Sequence, residues 1–267
     1  MEYWEKIIKY FTDQGVSRGV AITYIIVSAV ILVMVLIVIV MRIYLMVAYH
    51  EGNIQQTKSG KTSSEVAREA LDKAGLKHIR VERAGFFRAF FIGNCYSITN
   101  KTIYLRKGIY NKDSVTAVAL ALQKVGLAKL CESGNAMTRT RNIMQILSLI
   151  GPMLFVPVVL LGCVIDFVLF SVFGVFSIIG IAVGFVLVFS GLISTLLSLP
   201  VEKKANAMAL EMINETGVLT KDEVVVVQKV FKAYIVSYVC EFIVAVLRIV
   251  QIVLEIVMNV QINNNKG

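Results

Sequence analysis

Between Ile143 and Val201 the chain carries one charged side chain, Asp166, in roughly 59 positions. A helix that faces water needs a polar side, so a run this long without charge belongs in lipid. About 20 apolar residues at 1.5 Å each cross a hydrocarbon core of roughly 30 Å, and the run therefore suits two spans joined by a short turn. Asp166 marks or lies near that turn: it reads as an interfacial residue at a hairpin tip, with a buried proton or ion site as the alternative. A second uncharged stretch of about 23 residues, Gly19 to Met41, supplies another span. Its length, the acidic Glu2, Glu5 and Asp13 ahead of it and the lack of a small-x-small site after it argue against a cleaved signal peptide. With 57% hydrophobic residues and a mean hydropathy of +0.75, the 267-residue chain reads as an integral membrane protein.

A last apolar stretch, about Tyr234 to Val260, is interrupted by Glu241, Arg248 and Glu255. These lie seven apart and share one helical face, where structural pairing competes with a transport role. About four transmembrane helices result. The chain then divides into an N-terminal segment 1–18, a first transmembrane helix 19–48, a soluble region 49–142, a hairpin 143–200 of the second and third helices, a second soluble segment 201–232, a fourth helix 233–260 and a polar tail 261–267.

Charge orients these parts. From Arg42 to Arg141 there are 17 Lys and Arg against 7 Asp and Glu, a balance of +10, whereas residues 1 to 41 carry 3 of each. The positive-inside rule places that loop in the cytoplasm, most persuasively through the membrane-proximal Arg42, Arg139 and Arg141. Basic residues clustered beside spans are topology signals or anionic-lipid contacts, so a pI near 9.4 argues for no nucleic-acid partner. Cys95, Cys131, Cys163 and Cys240 show no C-x-x-C spacing and read as reduced structural thiols.

The basic loop has the organisation of a small folded domain. After a polar linker, Ser63 or Ser64 caps a helix reading SSEVAREALDKAGL that stops at Gly75. His78 to Glu82 alternates like a strand, Phe86 to Phe91 is an aromatic patch, and Lys101 to Arg106 is another strand candidate. Asp113 or Ser114 caps a helix that ends near Ser133-Gly134. In the second soluble segment a helix from about Lys203 to Glu215 closes at Thr216-Gly217, and Thr220-Lys-Asp-Glu223 is a capping box opening the last helix. The fold class is mainly α, a membrane-embedded helical bundle with a small cytoplasmic α+β cap.

The order of these parts resembles the YugP-like neutral zinc metallopeptidases of bacterial membranes, from roughly Thr62 to the end of the last span. The family's Glu-Val-Ala-Arg helix is matched by Glu65-Val66-Ala67-Arg68, its Lys-Thr-Leu-x-Leu strand by Lys101-Thr102-Ile103-Tyr104-Leu105, and its Leu-Pro-Val-Glu by Leu199-Pro200-Val201-Glu202. A Tyr of the last helix is matched by Tyr238. The resemblance implies a minigluzincin-like cap, zinc as cofactor and a bacterial cytoplasmic membrane as location.

The chemistry does not follow the resemblance. An H-E-x-x-H helix aims His at i and i+4 at one zinc ion, and the Glu takes a proton from the metal-bound water. The corresponding positions in TAVALALQKVGLAKL are Gln123, Lys124 and Leu127, and the family's Asp-His-Tyr-Asp-Pro becomes Asn94-Cys95-Tyr96-Ser97-Ile98. Glu202 alone keeps its type, at the position that resembles the third ligand. A contact between Lys124 and Glu202 is a natural replacement for a metal. The sequence thus leads to the expectation of a pseudo-metallopeptidase: no enzyme, no zinc or other cofactor, with Gln123, Lys124, Leu127, Glu202, Asn94, Cys95, Tyr96 and Ser97 as vestigial positions. The histidines His50 and His78 are isolated, and no Walker or dinucleotide motif occurs.

The function expected is that of a protein-binding or regulatory subunit in the membrane, with a protein partner or a second copy and the lipid bilayer as its surroundings. Two alternatives stand beside it. An atypical active metallopeptidase would depend on Glu202, and a small transporter or channel component would use Asp166, Glu241, Arg248 and Glu255.

Overall fold

The computed structural model describes residues 2–170 and 174–265; side chains at 2, 146–153, 155–156, 170, 187–188 and 192 are not described. The protein is 79% helical. It divides into two compact units, Met1–Ile43 with Val239–Gly267, and Tyr44–Tyr238.

The first unit contains α1 (Glu2–Asp13), the start of α2 (Arg18–Ile54) and the end of α9 (Lys221–Asn264). Val16, Ala21 and Met258 form a small core there, with Phe11 and Tyr24 packed against it. The charges on the face of α9 find partners on α2: Arg42 pairs with Glu241 at 3.2 Å, and the Tyr24 hydroxyl donates to Glu255 at 3.1 Å. Two of the three charges on that face, Glu241 and Glu255, are thus paired with α2.

The second unit holds α3 (Ser63–Lys73), β1 (Arg80–Arg83), α4 (Phe86–Phe91), β2 (Cys95–Ser97), β3 (Thr102–Leu105), α5 (Lys107–Tyr110), α6 (Val115–Glu132), α7 (Ala136–Phe170) and α8 (Val175–Thr216). Thr62, one residue ahead of the expected serines, caps α3 and forms a capping box with Glu65. Ser114 caps α6. Gly217, at φ 61°, ends α8 in the left-handed conformation that glycine adopts without a Cβ clash. The Thr220 N–H donates to Glu223 at 2.6 Å to open α9. The sheet order is β1-β3-β2: β1 runs parallel to β3, and β2 antiparallel to it in the register Tyr96 opposite Ile103.

Helix α6 is the centre of this unit. Every residue of it except Lys129 and Glu132 is buried, which is why it lacks an apolar face and a polar face. Val118, Leu122 and Val125 join Leu71, Ile79, Ile103 and Leu105 in one core with Ala205, Ala209 and Ile213 of α8. The close approach of α6 to α8 depends on Gly126, where a Cβ would lie 2.8 Å from the Ala205 carbonyl oxygen and 3.2 Å from Met208 Cβ. That approach sets Gln123 and Lys124, one turn earlier, against the turn of α8 that carries Glu202.

Among the described residues three helices, α2, α8 and α9, are long and apolar enough to cross a membrane. In α7 the apolar stretch among the described side chains is Pro157–Leu169. One expectation changes: α8 does not stop at Pro200, since one helix runs from Val175 through it to Thr216. Asp166 sits in the last turn of α7, and residues 171–173 of the expected turn lie outside the described residues. The Asp166 carboxylate accepts hydrogen bonds from the N–H groups of Gly174 (2.9 Å), Phe176 (3.2 Å) and Ser177 (2.6 Å) and from the Ser177 hydroxyl (2.6 Å). It therefore satisfies the free amides at the start of α8.

Candidate functional site

At the crossing of α6 and α8 a polar chamber of about 190 Å³ is lined by Asn94, Cys95, Arg106, Gln123, Lys124, Leu127, Arg141, Glu202, Tyr234 and Tyr238, among others. Helix α6 contributes Gln123, Lys124 and Leu127 because their spacing puts them on the side facing α8. Glu202 is buried, and both its oxygens are engaged. Arg141 of α7 donates to Oε1, and the Gln123 amide donates to Oε2 at 3.0 Å. Gln123 also donates to Asn206 Oδ1 at 2.6 Å, one helical turn beyond Glu202. The remaining N–H groups of Arg141 reach Ser198 at 3.2 Å and Asn142 at 3.1 Å. The expected partner of Glu202, Lys124, lies 3.8 Å away, so both residues of that pair are present, but Arg141 is the closer cation.

Electrostatics follow from this packing. Burial lowers the Lys124 ammonium from its ordinary pKa and Arg141 lowers it further, against the opposing pull of Glu202. Burial pushes the Cys95 thiol up, with Arg88, Lys124 and Arg141 opposing. Asn94 is tied by its side-chain oxygen to the Arg106 amide at 2.7 Å, which fixes the wall opposite α6.

Of the residues singled out in the sequence, Asn94, Cys95, Gln123, Lys124, Leu127 and Glu202 meet in the chamber. Tyr96 and Ser97 instead line an adjoining groove of about 110 Å³, between Arg88 to Thr99 on one side and Asn142, Ile143 and Gln145 on the other. Tyr96 points its hydroxyl away to Glu132 at 2.7 Å, where Lys101 (2.5 Å) and His78 (3.3 Å) also reach the carboxylate. Burial opposes ionisation of Glu132, yet these three hydrogen bonds prevail and hold its carboxyl down to about 2. Burial and the bond to Glu132 push the Tyr96 phenol up. Cys131 is buried against Asn142 rather than in the chamber. Asp166, Glu241, Arg248 and Glu255 do not line it either.

Sequence reasoning missed Arg141, which read only as a topology signal, and Asn206. The available signal for Asn206 was its position four residues after Glu202, on the same face of α8.

A zinc ion in a peptidase takes three protein ligands and a water. Here Glu202 is the one carboxylate among the lining residues, it is already engaged by Arg141 and Gln123, Leu127 has no donor atom, and Lys124 and Arg141 place two positive charges beside it. Among the described residues no three His, Cys, Asp or Glu side chains converge. The donors of this chamber do not fit a zinc ion.

Comparison with known proteins gives the lineage. A family model described as "Putative neutral zinc metallopeptidase" matches residues 24–257. The "Putative membrane protease YugP" of Bacillus subtilis (strain 168) is 27% identical over 203 residues, which cover 74% of this chain and 82% of that protein. No solved structure matches. These matches overturn two expectations drawn from the altered motif. The chain was expected to be no enzyme, but the matched family is one of peptidases and the relative is named a protease. It was also expected to have no cofactor, but the family implies zinc. Loss of one recognisable motif is a statement about a few side chains, whereas the match extends over most of the sequence, and on that match the chain belongs to the neutral zinc metallopeptidase family.

Proposed function

We propose that this member of the family acts in the membrane as a protein-binding or regulatory subunit that holds an extended polypeptide segment along the open edge of β2. The observation that carries the reading is the groove beside that strand. The three strand residues Cys95, Tyr96 and Ser97 line it, followed by Ile98 and Thr99 of the turn after the strand. Alternate residues of a strand point to opposite faces, so a groove lined by both sets runs along the strand's edge. In the order β1-β3-β2 that edge has no strand partner among the described residues. An extended segment can add there through main-chain hydrogen bonds, as peptides do in many binding domains. Ile92, Cys95 and Gln145 line both the groove and the chamber, so the segment would run up to Gln123, Lys124 and Glu202.

In this reading α7 completes a fourth span with α8, and the basic excess between Arg42 and Arg141 keeps the cap on the cytoplasmic side. The positions Asn94, Cys95, Tyr96, Ser97, Gln123, Lys124, Leu127 and Glu202 form the wall of the binding site.

The test uses the full chain in nanodiscs with fluorescein-labelled unfolded casein, and a photo-crosslinking residue placed at Ser97 or, as a control, at Glu69 on α3. Saturable binding with crosslinks from position 97 and none from 69 is expected. No binding, or equal crosslinking from both positions, would overturn the reading. The family match favours a second reading, cleavage of the segment so held. Metal analysis of protein purified without chelator bears on it directly: about one equivalent of zinc per chain supports it, and well under one counts against it.

A further inference from the structure

Helix α4 has no buried residue. Phe86, Phe87 and Phe90 are 79%, 75% and 70% exposed and Phe91 is 46% exposed. The rings pack against one another, Phe86 on Phe87 and Phe90, and Phe90 on Phe91, rather than under the cap. Arg88, the polar residue of the helix, folds back over the Tyr104 ring at 3.8 Å and leaves the aromatic side clear. Apolar rings left in water forgo the gain of burial, so a cluster of four marks a contact surface.

Two observations identify what covers it. The first is its height on the molecule. The end of α4 shares a groove with Ile143, which is exposed and begins the nearly uncharged run of α7. Ile143 lies two residues past Arg141, whose partner Glu202 marks the same level on α8. The end of α4, through Phe91, thus lies beside the point where the α7–α8 hairpin turns apolar. The second is charge. From Arg83 to Lys112 the chain carries six basic residues and no acidic one. Lys101 is held by Glu132 and Arg106 lines the chamber, but Arg83, three residues before Phe86, is exposed. An exposed arginine next to a cluster of aromatic rings at the edge of a span is the composition of an interfacial anchor facing anionic headgroups.

We propose that α4 is such an anchor: Phe86, Phe87, Phe90 and Phe91 enter the boundary between headgroups and acyl chains of the bilayer that α8 crosses, with Arg83 among the headgroup phosphates. A consequence, which rests on the polypeptide-binding reading above, is that the groove beside β2 opens at the membrane surface and receives segments emerging from the bilayer. The anchor itself does not depend on that reading.

The test places a single reporter in the full-length protein. Trp4 is the chain's one tryptophan. A Trp4→Phe, Phe87→Trp variant is reconstituted in vesicles of phosphatidylcholine with phosphatidylglycerol, with and without acyl-brominated phosphatidylcholine. Because Phe87 is exposed, the exchange leaves the packing intact. Emission is expected to fall at least about twofold with brominated lipid and to be shielded from aqueous acrylamide, since an interfacial helix sinks about 5–10 Å into that boundary. Emission quenched by acrylamide and not by brominated lipid would overturn the proposal. A tryptophan protected from both quenchers would overturn it too, by showing that protein covers the face. Unchanged casein binding in a variant whose anchor fails would separate the two readings.

Discussion

Arg141 and Glu202 form a buried ion pair between α7 and α8, 61 positions apart in the sequence, with Gln123 holding the second carboxylate oxygen. The carboxylate is the shared counter-charge of Arg141 and Lys124. Replacing it by Glu202→Ala leaves two buried cations facing one another, and an unpaired buried charge costs about 3–5 kcal/mol. Thermal unfolding of the purified protein in detergent should show that loss. A change below about 1 kcal/mol would mean that water reaches the chamber and screens the pair.

The contact of α6 with α8 makes a second prediction. In Gly126→Ala the new methyl group meets the Ala205 carbonyl oxygen, a backbone atom that cannot rotate away. The helices must part, at a cost of about 1–3 kcal/mol. A melt indistinguishable from the parent would show that the helices are not packed as closely as described.

Glu132 gives the cap a defined pH response. Its carboxyl, ordinarily near 4.5, titrates at about 2 in the folded protein because Lys101, Tyr96 and His78 hydrogen-bond to it. A depressed acid stabilises the fold above its unfolded pKa, and that contribution fades as pH falls from about 4.5 towards 2. Glu132→Gln should therefore lower stability by about 1–3 kcal/mol at pH 7 and by much less near pH 3. An equal effect at both values would contradict the assignment.

At the other end of the hairpin, Asp166→Ala removes the acceptor for the first amides of α8. Loss of a helix cap costs about 1–2 kcal/mol, read as a lower melting temperature in lipid nanodiscs. A proton-relay or ion-site role for Asp166 would instead appear as a transport defect in an otherwise stable protein.

Local signals carried most of the helices into view. Gly75 and Gly217, the Thr220–Glu223 capping box and the serine before α6 all stand where chain-local chemistry puts them. The cap of α3 moved one residue to Thr62, because Thr62, Ser63 and Ser64 are all competent and only the bond from Glu65 decides. Strand β2 went unseen since three residues, Cys95–Ser97, are too few to show an alternation. The Phe86–Phe91 patch forms a helix of less than two turns, again below the reach of periodicity. In the site, the proximity of Lys124 to Glu202 was legible through the register of the family resemblance. Arg141 was not, because its burial depends on α7 folding back along α8, a long-range event that the neighbours of Arg141 in sequence do not encode. The altered ligand positions also spoke too loudly: they suggested neither enzyme nor cofactor, where the match over residues 24–257 places the protein in a zinc metallopeptidase family.

A polypeptide segment added to the outer edge of β2 would form main-chain hydrogen bonds along that strand. Hydrogen exchange of the full-length protein in nanodiscs, with and without excess unfolded casein, measures this at the strand itself. Slowed exchange at the amides of 95–99, with those of α3 unchanged, is the expected result. Identical exchange across 95–99 while casein is bound would contradict it, because an added strand cannot form its main-chain hydrogen bonds and leave the edge amides open to water.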